Sequence, residues 1–232
     1  MSAPVDLATG TAGCPQRVGL ATDLVLVHKV FRRELRLLPA LVGAVPAGRA
    51  DRAVLLAGHY RDLATALRHH HHAEQHLLLG RLAERAPLEP AIRDGMQARH
   101  RRHEELLDEL DAMLGLWTAA ADLDVRDLLV DILTELADGV TDHLDLVEQR
   151  VLPAVDRHFS NREWLALGLR AASWIPLNRM AWMLGAMLED ATEAERRNLM
   201  SKVPGPARLL YRMVGQEQYL REMRELRCPD GL

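Results

Sequence analysis

The chain of 232 residues is poor in cysteine, in long apolar runs and in clustered positive charge. Its two cysteines, Cys14 and Cys228, lie near opposite ends, which predicts neither a disulfide framework nor a thiolate metal site. No stretch approaches the roughly 20 apolar residues of a transmembrane helix, and the first ten residues lack the features of a secretion signal. The 29 basic and 33 acidic side chains are scattered along the chain, which disfavours binding to nucleic acid. We therefore expect a soluble cytoplasmic protein without membrane or nucleic-acid partners.

Apolar residues make up 48% of the chain and recur at steps of three and four, which is the period of a helix that buries one face. Strand patterns are almost absent, and glycine and proline lie between the periodic segments. Short connections between long helices make neighbours antiparallel. The sequence therefore predicts an all-α, up-down-up-down four-helix bundle, with long helices over residues 17–42, 51–85, 91–118 and 123–158.

The pattern changes to shorter helices after the fourth long one. We expect a flexible N-terminus over residues 1–16, the bundle over 17–158 and a helical C-terminal extension over 159–232. The extension holds three of the four tryptophans, so we expect its apolar surface to cover the bundle or to form a homodimer contact. Its predicted helices are 162–173, 177–189, 193–202 with Thr192 as N-cap, and 207–227.

Histidine is the unusual component, because ten of the 11 histidines fall between His28 and His143. In the second and third long helices a glutamate follows a histidine by four residues, which returns it to nearly the same face one turn later. In the fourth helix the spacing is five, so alignment requires either a local distortion or a carboxylate that reaches sideways to bridge. The candidate ligands are His28 from the first helix, His70 and Glu74 from the second, His100 and Glu104 from the third, and His143 and Glu148 from the fourth.

Imidazoles and carboxylates that point into a bundle core are costly unless something neutralises them. A metal ion does so, and the absence of thiolate argues against soft metals. Histidine and carboxylate projecting inward from several helices are typical of di-iron and di-manganese centres. The sequence therefore predicts a site for two metal ions on the bundle axis.

Several other residues have open roles. His103 follows His100 by three residues and either replaces it or joins it. His59 lies eleven residues before His70 and shares its face, but about 16 Å along the axis separates the two. It therefore cannot bind the same ion, and a core or proton-relay role stays open for it, whereas Tyr60 reaches the site only if the helix bends.

The run of four histidines from His69 to His72 admits two interpretations. Histidine-rich tracts often bind zinc or nickel adventitiously. On a helix, however, four consecutive residues point in four directions, so only one or two face the axis. We expect His69, His72 and His76 to be exposed or to lie behind the ligands, and His71 stays open.

The most specific motif is the segment Leu67-Arg68-His69-His70-His71-His72-Ala73-Glu74. A similar motif runs from His143 to Glu148 and is followed by Pro153. This pattern resembles the hemerythrin-like, or HHE cation-binding, family over roughly residues 28–153. The resemblance implies two iron ions joined by an oxo or hydroxo bridge, with manganese or zinc as substitutes. It implies that His28, His70, His100 and His143 are terminal ligands and that Glu74 and Glu148 bridge the ions.

The chain also departs from the family pattern. Glu104 lies where the best-known hemerythrins have a second histidine on the third helix, which implies a more carboxylate-rich site and disfavours reversible oxygen carriage. Gln75 replaces a commonly acidic residue, and Gly80 stands where a proline is frequent.

Three functions follow from the resemblance. The first is binding or sensing of O₂, peroxide or nitric oxide, which would include their detoxification. The second is an oxidase or oxygenase acting on an organic substrate, and the third is iron storage or a structural metal site. An enzyme needs a substrate-sized cavity that reaches the metals, whereas a small ligand needs only a narrow apolar path. The sequence leaves open whether the chain is an enzyme, and its substrate, redox partner and oligomeric state.

Overall fold

Apolar positions at helical spacing produce a chain that is almost entirely helical. A computed structural model describes residues 21–228, apart from the side chain of Leu177. No strand occurs between residues 21 and 228, which confirms the all-α prediction, and no helix there is long and apolar enough to cross a bilayer. The α-helices are α1 (Thr22–Gly43), α2 (Ala50–Ala73), α3 (Gly80–Arg85), α4 (Pro90–Ala120), α5 (Leu123–Leu146), α6 (Leu152–His158), α7 (Asn161–Ala172), α8 (Leu177–Glu189), α9 (Glu193–Lys202), α10 (Gly205–Leu210) and α11 (Gln216–Arg227). Three π-helical segments continue them at Glu74–Leu79, Val147–Val151 and Tyr211–Gly215.

Four long helical stretches form the bundle. They are α1, the stretch from α2 to α3, α4, and the stretch from α5 to α6, and each packs against the next, with α5 closing the ring on α1. The predicted boundaries of the last three agree with the structure to within a few residues. The predicted start of the first helix at residue 17 and the flexible segment 1–16 lie outside the described residues.

Local sequence accounts for several helix ends. Pro90 occupies the first turn of α4, where its missing N–H group costs nothing. After α4 the chain reverses through Ala121, which adopts the left-handed conformation with φ 47°. The Asp122 carboxylate then caps α5 by accepting a hydrogen bond from the Val125 N–H. Thr192 caps α9 with a complete capping box, as predicted.

A polar layer divides the bundle core into two apolar clusters. In the stretch from α2 to α3 the larger cluster ends at Leu67 and the smaller one begins at Leu78, and on α4 the boundary lies between Met96 and Leu106. His70, His71, His100 and His103 fall in these two intervals, and His28 on α1 and His143 on α5 lie beside them. They replace leucine at one level of the axis, so we call this level the histidine layer. It contains His28, His70, His71, Glu74, His100, His103 and His143.

The C-terminal helices pack on the α1 side of the bundle. Trp182 from α8 and Tyr219 and Met223 from α11 are buried in the same apolar cluster as the bundle leucines. Leu26 of α1 packs in a separate cluster with Leu188 of α8, Leu199 of α9 and Tyr211. Part of the apolar surface of the extension is therefore covered by the bundle.

A charged group lies where the extension meets the bundle. Glu34 of α1 is 3% exposed and accepts hydrogen bonds from Arg33 at 2.7 Å and from Arg227 of α11 at 3.0 Å. Its second oxygen lies 3.1 Å from His59 Nε2 on α2. Arg227 also pairs with Glu189 of α8 at 2.5 Å. These five residues, the junction cluster, join α1 and α2 to both helices of the extension that cover them.

Candidate metal centre

The histidine layer holds two groups of three side chains whose ligand atoms lie within 4.8 Å of one another. The first triad is His28, His70 and Glu74, and the second triad is His71, His100 and His143. All four long helical stretches contribute: α1 carries His28, α2 carries His70 and His71, the π-helical segment after it carries Glu74, α4 carries His100 and α5 carries His143. All are buried except His100, whose side chain is 13% exposed.

Glu74 connects the two triads. Its Oε1 lies 3.2 Å from Nε2 of His70 in the first triad. Its Oε2 lies 2.8 Å from Nε2 of His143 and 3.2 Å from Nε2 of His100 in the second. One carboxylate oxygen therefore faces each group, which is the arrangement of a carboxylate that bridges two metal ions.

The first triad leaves buried polar atoms without hydrogen bonds. These atoms are Nε2 of His28, Nε2 of His70 and Oε1 of Glu74. The last two are near each other but lack hydrogen-bond geometry. Each such atom costs about 1–3 kcal/mol when nothing satisfies it. Three converging lone pairs on nitrogen and oxygen are suited to a metal cation, so the residues present fit the metal that the resemblance implies.

Protonation also favours a metal. Burial lowers the pKa of His28 and of His143, although hydrogen bonds to Glu148 and Glu74 act in the opposite direction. Burial, together with the nearby His100, lowers the pKa of His71 well below its ordinary value. Neutral imidazole is the form that binds metal ions.

Glu74 remains ionised in the same environment. Burial alone would raise the pKa of its carboxyl group. The charge of His70 and the hydrogen bonds from His100 and His143 outweigh that effect and bring the pKa well below its ordinary value. The layer thus combines an ionised carboxylate with imidazoles of which His28, His71 and His143 have a pKa lowered by burial.

Of the two alternatives for the fourth helix, the structure shows the local distortion. The segment Val147–Val151 is π-helical, and a π-helix turn is wider than an α-helix turn. It carries Glu148 to the face of His143 despite the spacing of five residues. There Oε1 of Glu148 lies 2.7 Å from Nδ1 of His28 on α1.

The structure does not place Glu148 between the triads, where the resemblance puts a bridging ligand. Arg32, one turn after His28, donates to the same Oε1 at 2.7 Å and to Asp145 at 2.5 Å. Burial would raise the pKa of Glu148, but the hydrogen bonds from His28 and Arg32 lower it. A carboxylate on Nδ1 turns the free Nε2 of His28 toward the layer, a common arrangement behind metal-binding histidines.

Glu104 lies outside the layer, contrary to the prediction that it joins His100 there. Its side chain is 48% exposed and pairs with Arg68 at 2.7 Å. The reason is the rotation of α4, whose inward residues follow steps of four and three through Met96, His100, His103, Leu107 and Leu110. A residue directly after His103 is turned about 100° away from that stripe. The spacing of four from His100 was therefore a misleading signal.

Two histidines that the sequence left open lie in the layer instead. His71 follows the buried Ala57 and Ala64 at intervals of seven residues, a signal that would have placed it inward. His103 is 1% exposed, and its Nδ1 is 3.5 Å from Nε2 of His71. Burial, aided by the charge of His143, lowers the pKa of His103 to about 4. The site is therefore richer in imidazole than the predicted set.

The remaining histidines are placed elsewhere. His59 is buried against Glu34 in the junction cluster, and the Tyr60 hydroxyl donates to the Leu107 carbonyl at 3.1 Å, so neither residue reaches the layer. His72 and His76 are exposed on the outer face of the helix, as expected.

Comparison with known proteins agrees with this geometry. A family model for the hemerythrin HHE cation-binding domain matches residues 20–155, which is more than half of the 232 residues. No curated protein matches the chain, and no solved structure does. The matched region includes both triads, and the resemblance seen in the sequence is confirmed. The chain therefore belongs to the hemerythrin family and carries its HHE cation-binding domain.

Proposed function

We propose that the chain is a cytoplasmic protein that holds two iron ions in the histidine layer and binds or senses O₂, peroxide or nitric oxide. The observation that carries the proposal is Glu74, which presents one oxygen to each triad. Imidazole and carboxylate ligands without thiolate suit iron, with manganese and zinc as substitutes. When bound, an iron pair supplies redox chemistry and an open coordination position.

The surrounding residues hold these ligands in place. In this proposal each triad binds one ion, and Glu74 serves both. The Arg32–Glu148 pair orients His28 from behind, and His103 supports His71. Because burial keeps these imidazoles neutral, their nitrogens remain available to metal without loss of a proton.

The surroundings of the layer favour a small ligand over an organic substrate. His28 and His143 are fully buried and Glu74 is 2% exposed, so His100, at 13%, is the most accessible residue of the triads. A depression of about 200 Å³ lies one turn from His28 and Glu148, below the roughly 300–1,000 Å³ of ordinary ligand pockets. It is lined by Ala21, Thr22, Val25, Leu152, Asp156 and Glu195, none of which belongs to a triad. Diatomic molecules and peroxide suit such a site better than an oxidase substrate does.

Metal content and spectroscopy test the proposal. Anaerobically purified protein should contain about two iron ions per chain and should change its near-ultraviolet and visible spectrum on exposure to air, peroxide or nitric oxide. Glu74→Gln should lose most of the metal, because it removes the charge between the triads. Glu104→Gln is the matched control and should retain it.

Three results would count against the proposal. Stoichiometric zinc with a featureless spectrum would indicate a structural site. Many iron ions per chain would indicate storage, and turnover of an organic substrate at the iron pair would favour the oxidase alternative. Full iron content in Glu74→Gln would show that the Glu74 carboxylate is not needed to bridge the two ions.

We also propose that the extension forms a homodimer contact through α10 and α11. Five apolar side chains on these helices and the segment between them are half or more exposed: Leu209, Leu210, Met213, Val214 and Leu220. Glu217 and Arg221 are exposed beside them, so a two-fold contact pairs unlike charges across the interface. Leu210→Glu should halve the mass measured by light scattering. Leu116→Glu, which changes an exposed leucine on α4 outside the proposed contact, should leave the mass unchanged. A monomeric wild-type chain would refute the contact.

A further inference from the structure

Two histidines on the outer face of the second helix are not used by the histidine layer. His72 and His76 are four residues apart, so their side chains lie one above the other on the helix surface. Both are exposed, and their ring centroids are 4.3 Å apart. Within residues 21–228 neither ring has a hydrogen-bond or ion-pair partner, so the ring nitrogens are open to solvent.

We propose that His72 and His76 form a peripheral site for a borderline divalent cation of the Zn²⁺, Ni²⁺ and Cu²⁺ class. Imidazole is a preferred ligand of these ions. Metal–nitrogen bonds of about 2.0–2.1 Å require the two nitrogens on one ion to lie about 3–4 Å apart. Rings whose centroids are separated by 4.3 Å can meet that requirement by side-chain rotation alone. Water completes the coordination on the exposed side.

This site is separate from the buried centre. His70, His71 and Glu74 occupy the inward face of the same two turns, and the helix itself lies between the two faces. A helix with its side chains is about 10–12 Å wide, so one ion cannot contact both sets. The proposal is therefore independent of which metal fills the histidine layer.

Trp174 provides a reporter for the peripheral site. Its ring centroid lies 5.1 Å from that of His72 and 5.8 Å from the guanidinium carbon of Arg170. A paramagnetic ion bound to His72 would lie close to the indole and quench its fluorescence. Ni²⁺ is a suitable probe because imidazole binds it well.

The test is a titration of the full chain with Ni²⁺ after its buried centre has been loaded with iron. Bound nickel is measured by equilibrium dialysis, and quenching is followed by tryptophan fluorescence. We expect wild type to bind one additional ion with saturable quenching. The double variant His72→Ala/His76→Ala should lose that ion, with affinity reduced by about 100-fold or more, since loss of outer partners alone costs about 10–100-fold.

Two controls separate the pair from other features. His158→Ala removes an exposed histidine elsewhere and should bind and quench as wild type does. Trp174→Phe should keep the additional ion but lose most of the quenching. The proposal is overturned if the double variant, with unchanged iron content and melting temperature, binds and quenches like wild type.

Discussion

Replacement of Glu34 by glutamine tests how the extension is attached to the bundle. The Glu34 carboxylate is 3% exposed and accepts from Arg33 and Arg227 while it contacts His59. Glu34→Gln keeps the size of the side chain but removes its charge, which leaves the two guanidinium groups without that partner. Since Arg227 belongs to α11, we expect the variant to weaken the contact between α11 and α1.

The magnitude follows from the pKa of the carboxyl group. Burial would raise that pKa, but the hydrogen bond and charge of His59 and the charge of Arg33 lower it from 4.5 to about 2. At about 1.4 kcal/mol per pH unit, the charged form of Glu34 contributes about 3 kcal/mol to folding. A group with a lowered pKa contributes fully above pH 4.5 and loses its contribution as the pH falls toward 2. Glu34→Gln should therefore lower the free energy of unfolding by about 3 kcal/mol at pH 7 and about 1 kcal/mol at pH 3.

Urea unfolding of both chains at a series of pH values measures this difference. Glu105→Gln, on the exposed face of α4, is the control and should change stability by less than about 0.5 kcal/mol. The iron content of Glu34→Gln should equal that of wild type, because Glu34 lies about 9 Å along α1 from His28 and contacts no residue of the histidine layer. A pH-independent difference, or one below about 1 kcal/mol at pH 7, would refute the reasoning.

Three further predictions concern the metal centre. Arg32→Ala should free Glu148 and weaken iron binding by about 10–100-fold in chelator competition, and unchanged affinity would contradict the orienting role. His71→Ala should lower iron content toward one ion per chain by elemental analysis, and two retained ions would exclude it as a ligand. Gly139→Ala places a methyl group 3.1 Å from His103 Nε2, so the ring must shift, and we expect a lower melting temperature and an altered visible spectrum. An identical spectrum would show that His103 does not support the centre.

The sequence by itself determined the fold and the level of the site. The number of long helices and their order follow from apolar steps of three and four, which depend on the helix period and not on packing partners. Replacement of leucine by histidine at one level of each long helix placed a polar layer on the axis. The spacing of five between His143 and Glu148 predicted either a distortion or a sideways carboxylate, and the structure has a π-helical segment at Val147–Val151.

Only the tertiary structure decided which neighbouring residues face the axis. His100 precedes both His103 and Glu104 by about one turn, and the rotation of α4 in the bundle turns His103 inward and Glu104 toward Arg68. That rotation is set by packing against α2 and α5, through contacts with residues such as His71 and Glu135 that lie more than 30 positions away in the sequence. Glu148 likewise meets His28 because Arg32, on another helix, draws its carboxylate there. Helical spacing limits the candidates for a metal ligand to two or three neighbouring residues. The contacts between helices decide which of these residues faces the axis.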